Sequence, residues 1–337
     1  MLPTPKTLRR LRRTALAAAL NQAFTQSSRL ASFMPLARPQ RHGVRVERDV
    51  AWRAPMPTEP AGHLLDLWRP AEAQGPLPVV LYLHGGGFRG CSKDTHWPIC
   101  IAFARAGYLV VNVNYRLAPA HRFPAAAADA AEAWAWAVNN VAAHGGDPDR
   151  IVVAGESAGG NLAAVVGVIT SWRREEPWAR AAFDLGKQPI ALSPACGILQ
   201  VSDPQRFSRR RPIPTLTQDI ISNCFHVYVG EDADPDADHG LADPLLVFER
   251  APAPDRPIPP TFLLVGTADP LLDDTRRLAA ALQTRGTPHE LKVYPGMEHA
   301  FHAWVIRAQA AQCWADQLAF LAPITGAVDR QQAAAAR

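Results

Sequence analysis

The stretch IVVAGESAGGNLAAVV, residues 151–166, limits what this chain can fold into more than any other. Four apolar residues at 151–154 run into Gly-Glu-Ser-Ala-Gly-Gly, after which Leu162, Ala163, Val165 and Val166 resume an apolar stripe at helical spacing. This predicts a buried strand, a sharp turn and a buried helix. Gly155 and Gly159 remove side chains where strand and helix would collide, and the helix N-terminus aims free N–H groups at Ser157. A serine on such an elbow can act as a nucleophile. Because G-x-S-x-G arises by chance in about one chain in ten of this length, its strand-to-helix context and its partners carry the argument.

The flanking chain repeats the same rhythm. Apolar strand runs at 79–83, 108–113, 151–154, 189–192, 262–265 and 291–294 alternate with helical stretches, which predicts βαβ crossovers and a mostly parallel sheet covered by helices on both faces. Two earlier runs, 46–52 and 63–68, read as an antiparallel hairpin and bring the count to eight strands. An insertion at about 195–250 contains RRRPIP and a helix expected to start at Thr217 as N-cap. It would sit above the strand C-termini, where α/β sheets bind ligands. The expected organisation is N-terminal cap helices over 1–45, a catalytic domain over 46–325 that carries the cap insertion, and a tail at 326–337 that frays.

Composition narrows the function classes. Of 337 residues 48% are hydrophobic and 20% charged, which suits a globular chain with a full core. The net charge is only +4, and the basic runs Arg9-Arg10-Leu11-Arg12-Arg13 and Arg209-Arg210-Arg211 lack the interleaved aromatics of a nucleic-acid surface. Five scattered cysteines form no zinc spacing and fit a reducing, cytoplasmic compartment. No apolar run reaches eighteen residues, so no stable membrane span is expected. The N-terminal leucines Leu8, Leu11, Leu16 and Leu20 with Phe24 recur at roughly helical spacing. They favour a cap helix over a signal peptide, because TALAAAL is a thin apolar core, and over a membrane-surface anchor, because the stripe is alanine-rich.

An acyl-transfer site needs a base, an acid that orients it, and donors for an oxyanion. His84-Gly85-Gly86-Gly87-Phe88 follows a strand run directly, so that Gly85 and Gly86, with the N–H of Ala158, could form the oxyanion hole. In VGTADPLLDD, Asp269 stands just past the seventh strand run and Pro270 opens a helix, while Asp273 and Asp274 fall in its first turn and serve the helix dipole. In VYPGMEHAFHAW, His299 follows the last strand run, with His302 as its rival. The chain order Ser157, Asp269, His299 is that of α/β-hydrolases.

With these motifs in place, residues 45–325 resemble the hormone-sensitive-lipase group of α/β-hydrolase esterases, the bacterial carboxylesterases with HGGG and GDSAGG. The resemblance rests on HGGGF (84–88), NYRLAPAHRFPAA (114–126), GESAGG (155–160), DPLLDD (269–274) and HAF (299–301). It implies an eight-stranded α/β-hydrolase fold with a helical cap and hydrolysis of small carboxylic esters of short to medium acyl chain, with no metal or organic cofactor. The chain departs mildly from the group's pattern at Glu156, where Asp is commoner, and at Ala120 and Asp274, where Glu is usual. Amide or peptide hydrolysis by the same triad, a non-catalytic ligand-binding relative, and a homodimer are all left open by the residues.

Overall fold

A computed structural model describes residues 12, 15, 19, 22, 23, 25–28, 30–55, 62–210, 212–305 and 307–327. The N-terminal leucines, Phe24 and most of the tail lie outside the described residues. Eight strands form one sheet: β1 (Val44–Ala51), β2 (Leu64–Pro70), β3 (Leu77–Leu83), β4 (Leu109–Val113), β5 (Gly146–Glu156), β6 (Ala191–Ala195), β7 (Thr261–Gly266) and β8 (His289–Tyr294). Their order is β1-β2-β4-β3-β5-β6-β7-β8. β1 and β2 pair antiparallel, as does β2 with β4, and every pairing from β4 through β8 is parallel. The eight strands fall where the apolar runs predict, and the fold is that of an α/β hydrolase.

Pleating explains how runs such as LPVVLYL bury both faces. Val79, Leu81 and Leu83 pack with Val111, Val113 and Val153 under α2 (Ala125–Asn140) and α3 (Ala158–Ser171). Val80 and Tyr82 pack with Val110, Val152 and Ala154 under α1 (Trp97–Arg105) and α9 (Ala308–Thr325). All fourteen residues of α3 are buried, so it is held in place by the core rather than by an amphipathic stripe. The chain adds α4 (Pro177–Asp184) before β6, and α8 (Leu272–Thr284) between β7 and β8.

Between β6 and β7 stand α5 (Arg206–Arg210), α6 (Thr215–Tyr228) and α7 (Pro244–Arg250). Helix α6 begins two residues before Thr217, with extended Pro214 as its N-cap. Proline preceding the first turn gives up no N–H that the helix could use, so it ends the loop more sharply than a threonine would. Likewise α8 starts at Leu272 and not at Pro270, because Asp269 Oδ1 accepts the Leu271 N–H (2.8 Å) and holds 269–271 in a turn of its own. Asp273 and Asp274 do lie in the first turn of α8. Among the described residues no helix is long and apolar enough to cross a membrane, and none of the five cysteines forms a disulfide.

Candidate active site

Ser157 sits where β5 ends and α3 begins, with φ 55° and ψ −116°. A non-glycine residue is strained there by about 1–3 kcal/mol, so the surroundings must enforce it. The Ser157 N–H donates to Ala195 O (3.0 Å) and its carbonyl accepts from Ile198 N (3.2 Å) and Asn161 N (3.1 Å). The crossing is tight enough that a Cβ on Gly159 would lie 2.0 Å from Leu83 O. Ala158 is the first residue of α3, so its N–H has no acceptor within the helix.

The glycine loop at 84–88 leaves the end of β3 beside this elbow. His84 is buried, with Nδ1 2.8 Å from Gly85 O and its ring stacked on Tyr115 at 4.2 Å; the Tyr115 hydroxyl donates to His84 O (2.7 Å). Burial and the neighbouring His96 push the His84 pKa down to about 3, so the ring is neutral and serves the loop as a fixed wedge. Gly86 takes φ +113°, and a Cβ there would meet Gly90 O at 2.2 Å, which only glycine accommodates. Among the described residues, no backbone carbonyl accepts the N–H of Gly85 or Gly86. Phe88 stacks on Tyr228 of α6 with centroids 3.7 Å apart, so the insertion leans directly on the loop.

The candidate acid and base come from the ends of β7 and β8. Asp269 is fully buried, and its Oδ2 lies 2.8 Å from His299 Nδ1. The imidazole keeps about a third of its surface exposed, with a side-chain relative accessibility of 34%. Burial alone would depress its pKa; Asp269, and then the thiol of Cys196, outweigh that and hold it well above the ordinary histidine value. Ser157 Oγ makes no hydrogen bond to His299 among the described residues. Such contacts are often long in unliganded sites and tighten with substrate. His302, the rival, pairs with Glu156 instead: its Nε2 lies 3.3 Å from Glu156 Oε2 in a buried position.

Four further side chains near the site make contacts that their sequence positions do not announce. Cys196 follows β6 at a positive φ of 36°, is buried, and offers a thiol to His299. Its sulfur, an Asp269 oxygen and a His299 nitrogen all lie within 4.8 Å of one another, the one set among the described residues that could hold a metal ion. Glu156 and His96, buried beside the elbow, are joined at 3.0 Å. Asp274 is also fully buried, where its Oδ2 accepts from Leu199 N (3.0 Å), Gln200 N (3.1 Å) and Arg206 Nη2 (2.7 Å). A buried acid with three donors does far more than complement a helix dipole, which corrects the role that sequence position suggests for it.

Residues 80–303 match a protein family described by its alpha/beta hydrolase fold. The chain is 36% identical to the carboxylesterase NlhH of Mycobacterium tuberculosis over 239 residues, 70% of each chain. It is 32% identical to an ethyl acetate hydrolase of Pseudomonas putida over 245 residues, 71% of this chain and 72% of that one. Among solved structures, a hyperthermophilic esterase from the archaeon Pyrobaculum calidifontis superposes with a TM-score of 0.70 at 26% identity, covering 97% of this chain and 100% of that one.

Proposed function

The chain belongs to the alpha/beta hydrolase family, in its hormone-sensitive-lipase group of carboxylesterases, and from that premise we propose that it cleaves esters of short to medium acyl chain through an acyl-enzyme on Ser157. The observation that carries this proposal is the 2.8 Å bond from His299 Nδ1 to the buried Asp269 carboxylate, at the same edge of the parallel sheet as an elbow serine held at φ 55°. His299 takes the Ser157 proton as Oγ attacks the ester carbonyl. Asp269 fixes the tautomer and stabilises the imidazolium. Gly85, Gly86 and Ala158 N–H groups receive the developing oxyanion, each worth on the order of 3 kcal/mol in the barrier. His299 returns the proton to the departing alcohol, then activates the water that releases the acid.

Residues 1–45 and the insertion at 195–250 are read as a cap over this crevice. Support comes from the ion pair of Arg12 with Asp219 in α6, from the Ser28 hydroxyl on Thr95 O (3.1 Å), and from the Phe88–Tyr228 stack. The preference for soluble, shorter esters is supported by the Arg- and Pro-rich 204–214 segment, which offers no long apolar lid. A cytoplasmic location is supported by five cysteines that form no disulfide. The test is a chain-length series of aryl esters with an anilide control. Fastest turnover among soluble C4 to C8 esters is expected; faster cleavage of long-chain triglyceride emulsions would reject the substrate class, and faster cleavage of the anilide would make the enzyme an amidase.

A further inference from the structure

One buried cluster has no part in the steps above. Glu156, the residue immediately before the nucleophile, hydrogen bonds through Oε1 to His96 Nε2 at 3.0 Å. Its other oxygen lies 3.3 Å from His302 Nε2, close enough for an ion pair but without hydrogen-bond alignment, and has no hydrogen-bond partner in the structure. His96 is anchored in turn through Nδ1 to Thr95 Oγ1 (2.8 Å). All three side chains are buried. The carboxylate also lies under the oxyanion loop, where a Cβ on Gly85 would meet Glu156 Oε1 at 3.0 Å. One acidic group therefore touches the segment after the glycine loop, the elbow, and the loop that carries His299.

We propose that Glu156 is a positioning residue that acts as a second carboxylate for His299: with His96 and His302 it locks the elbow, the oxyanion loop and the histidine loop in register, and its charge favours the imidazolium formed during proton transfer. This rests on the Ser157-based reading of the site. Burial alone would raise the Glu156 pKa, but the hydrogen bond and charge of His96, followed by His302 and His299, bring it to about 2, so it is ionised wherever the enzyme works. The groups facing Glu156 are Tyr82 from β3, His84, Cys91 and His96 from the loop after β3, Tyr115 after β4, Cys196 after β6, and His299 and His302 after β8. Those facing His299 are Asp269, Cys196, Cys224, Glu156 and His302. Asp269 touches the imidazole directly, and Glu156 reaches it through the charge it places beside His302. Glutamate in place of the group's commoner aspartate has one more methylene with which to span both histidines.

The test compares kcat, KM and the acid limb of the pH–kcat/KM profile for wild type, Glu156→Gln and Glu156→Asp on a soluble aryl butyrate, with Ser157→Ala as control. Removing a negative charge near the imidazole makes it a weaker base. Glu156→Gln is expected to lower kcat about three- to tenfold with KM nearly unchanged, and to move the acid limb to lower pH by about half a unit or more. Glu156→Asp is expected to keep the wild-type acid limb at a reduced kcat, because it keeps the charge but falls short of His96. A slower Gln variant with an unmoved acid limb would mean packing alone and overturn the proposal, as would wild-type kinetics in either variant. If Glu156→Gln does not fold, the aspartate variant decides: full kcat overturns the inference. Absence of Ser157-dependent hydrolysis in wild type would instead overturn the reading of function beneath it.

Discussion

Replacing Asp274 by alanine should destabilise the protein far more than the same change one residue earlier. Asp274 is fully buried, and four hydrogen bonds end on its carboxylate: the N–H groups of Leu199 and Gln200, and two from the Arg206 guanidinium at 2.7 and 2.8 Å. Arg206 is itself only 13% exposed and lies over the Phe207 ring at 4.0 Å. Alanine takes the counter-charge from a largely buried cation, which is left with the backbone carbonyls of Gln200, Ser202 and Asp203 as acceptors, and leaves two buried N–H groups without theirs. Breaking a buried pair from one side costs about 3–5 kcal/mol, and for a chain of this size that lowers the melting midpoint by about 4–7 °C. Asp273 pairs with Arg210, 65% exposed, at 3.2 Å, a surface pair worth about 0–1 kcal/mol. Thermal unfolding followed by circular dichroism on Asp273→Ala and Asp274→Ala measures the difference. Equal shifts, or the larger shift for Asp273, would refute the burial argument and with it the idea that Asp274 ties the loop after β6 to α8.

Other outcomes follow from the same geometry. Asp269→Asn should stay folded, since Oδ1 can still accept from Leu271 N, yet lose on the order of 10⁴ in kcat through a wrongly held imidazole; near-normal kcat would reject the assignment. Because Asp269 holds the His299 pKa above the ordinary value, wild-type kcat/KM should rise with pH along an acid limb lying above 6.5, and a limb below that value in a pH–rate profile would contradict the pairing. Iodoacetamide at neutral pH should leave activity largely intact, because burial raises every cysteine thiol, Cys91 and Cys313 to about 12 and Cys224 to about 11, so little thiolate is available; rapid loss of activity with labelling at Cys196 would overturn this. Deleting residues 1–40 should leave a folded core with reduced activity or an altered ester preference, read from the chain-length series, whereas unchanged kinetics would remove that segment from the cap.

The sheet was legible because parallel strands buried on both faces leave continuous apolar runs, as at 77–83 and 109–113. The elbow was legible because close backbone approach admits only glycine at Gly155 and Gly159. Asp269 and His299 stood out by their position after strands, and their 2.8 Å contact follows from β7 and β8 being parallel neighbours. What sequence position could not reveal is pairing across long separations. His96 and His302 lie 60 and 146 residues from Glu156 in the chain, and no periodicity links them. Asp274 looked like a helix-start acid because local spacing carries no information about Leu199, Gln200 and Arg206 arriving from the loop after β6. The start of α6 was misplaced because Thr217 has the chemistry of an N-cap while Pro214 has the geometry.

The central claim is that Ser157 is the nucleophile. It is tested most directly by treating the protein with an organophosphate, then mapping the adduct by peptide mass spectrometry while following residual turnover of a soluble ester. One label per chain on the peptide containing Ser157, rising in step with loss of activity and absent from Ser157→Ala, is the predicted result. A stoichiometric label on another residue, or turnover that survives complete labelling of Ser157, would contradict it.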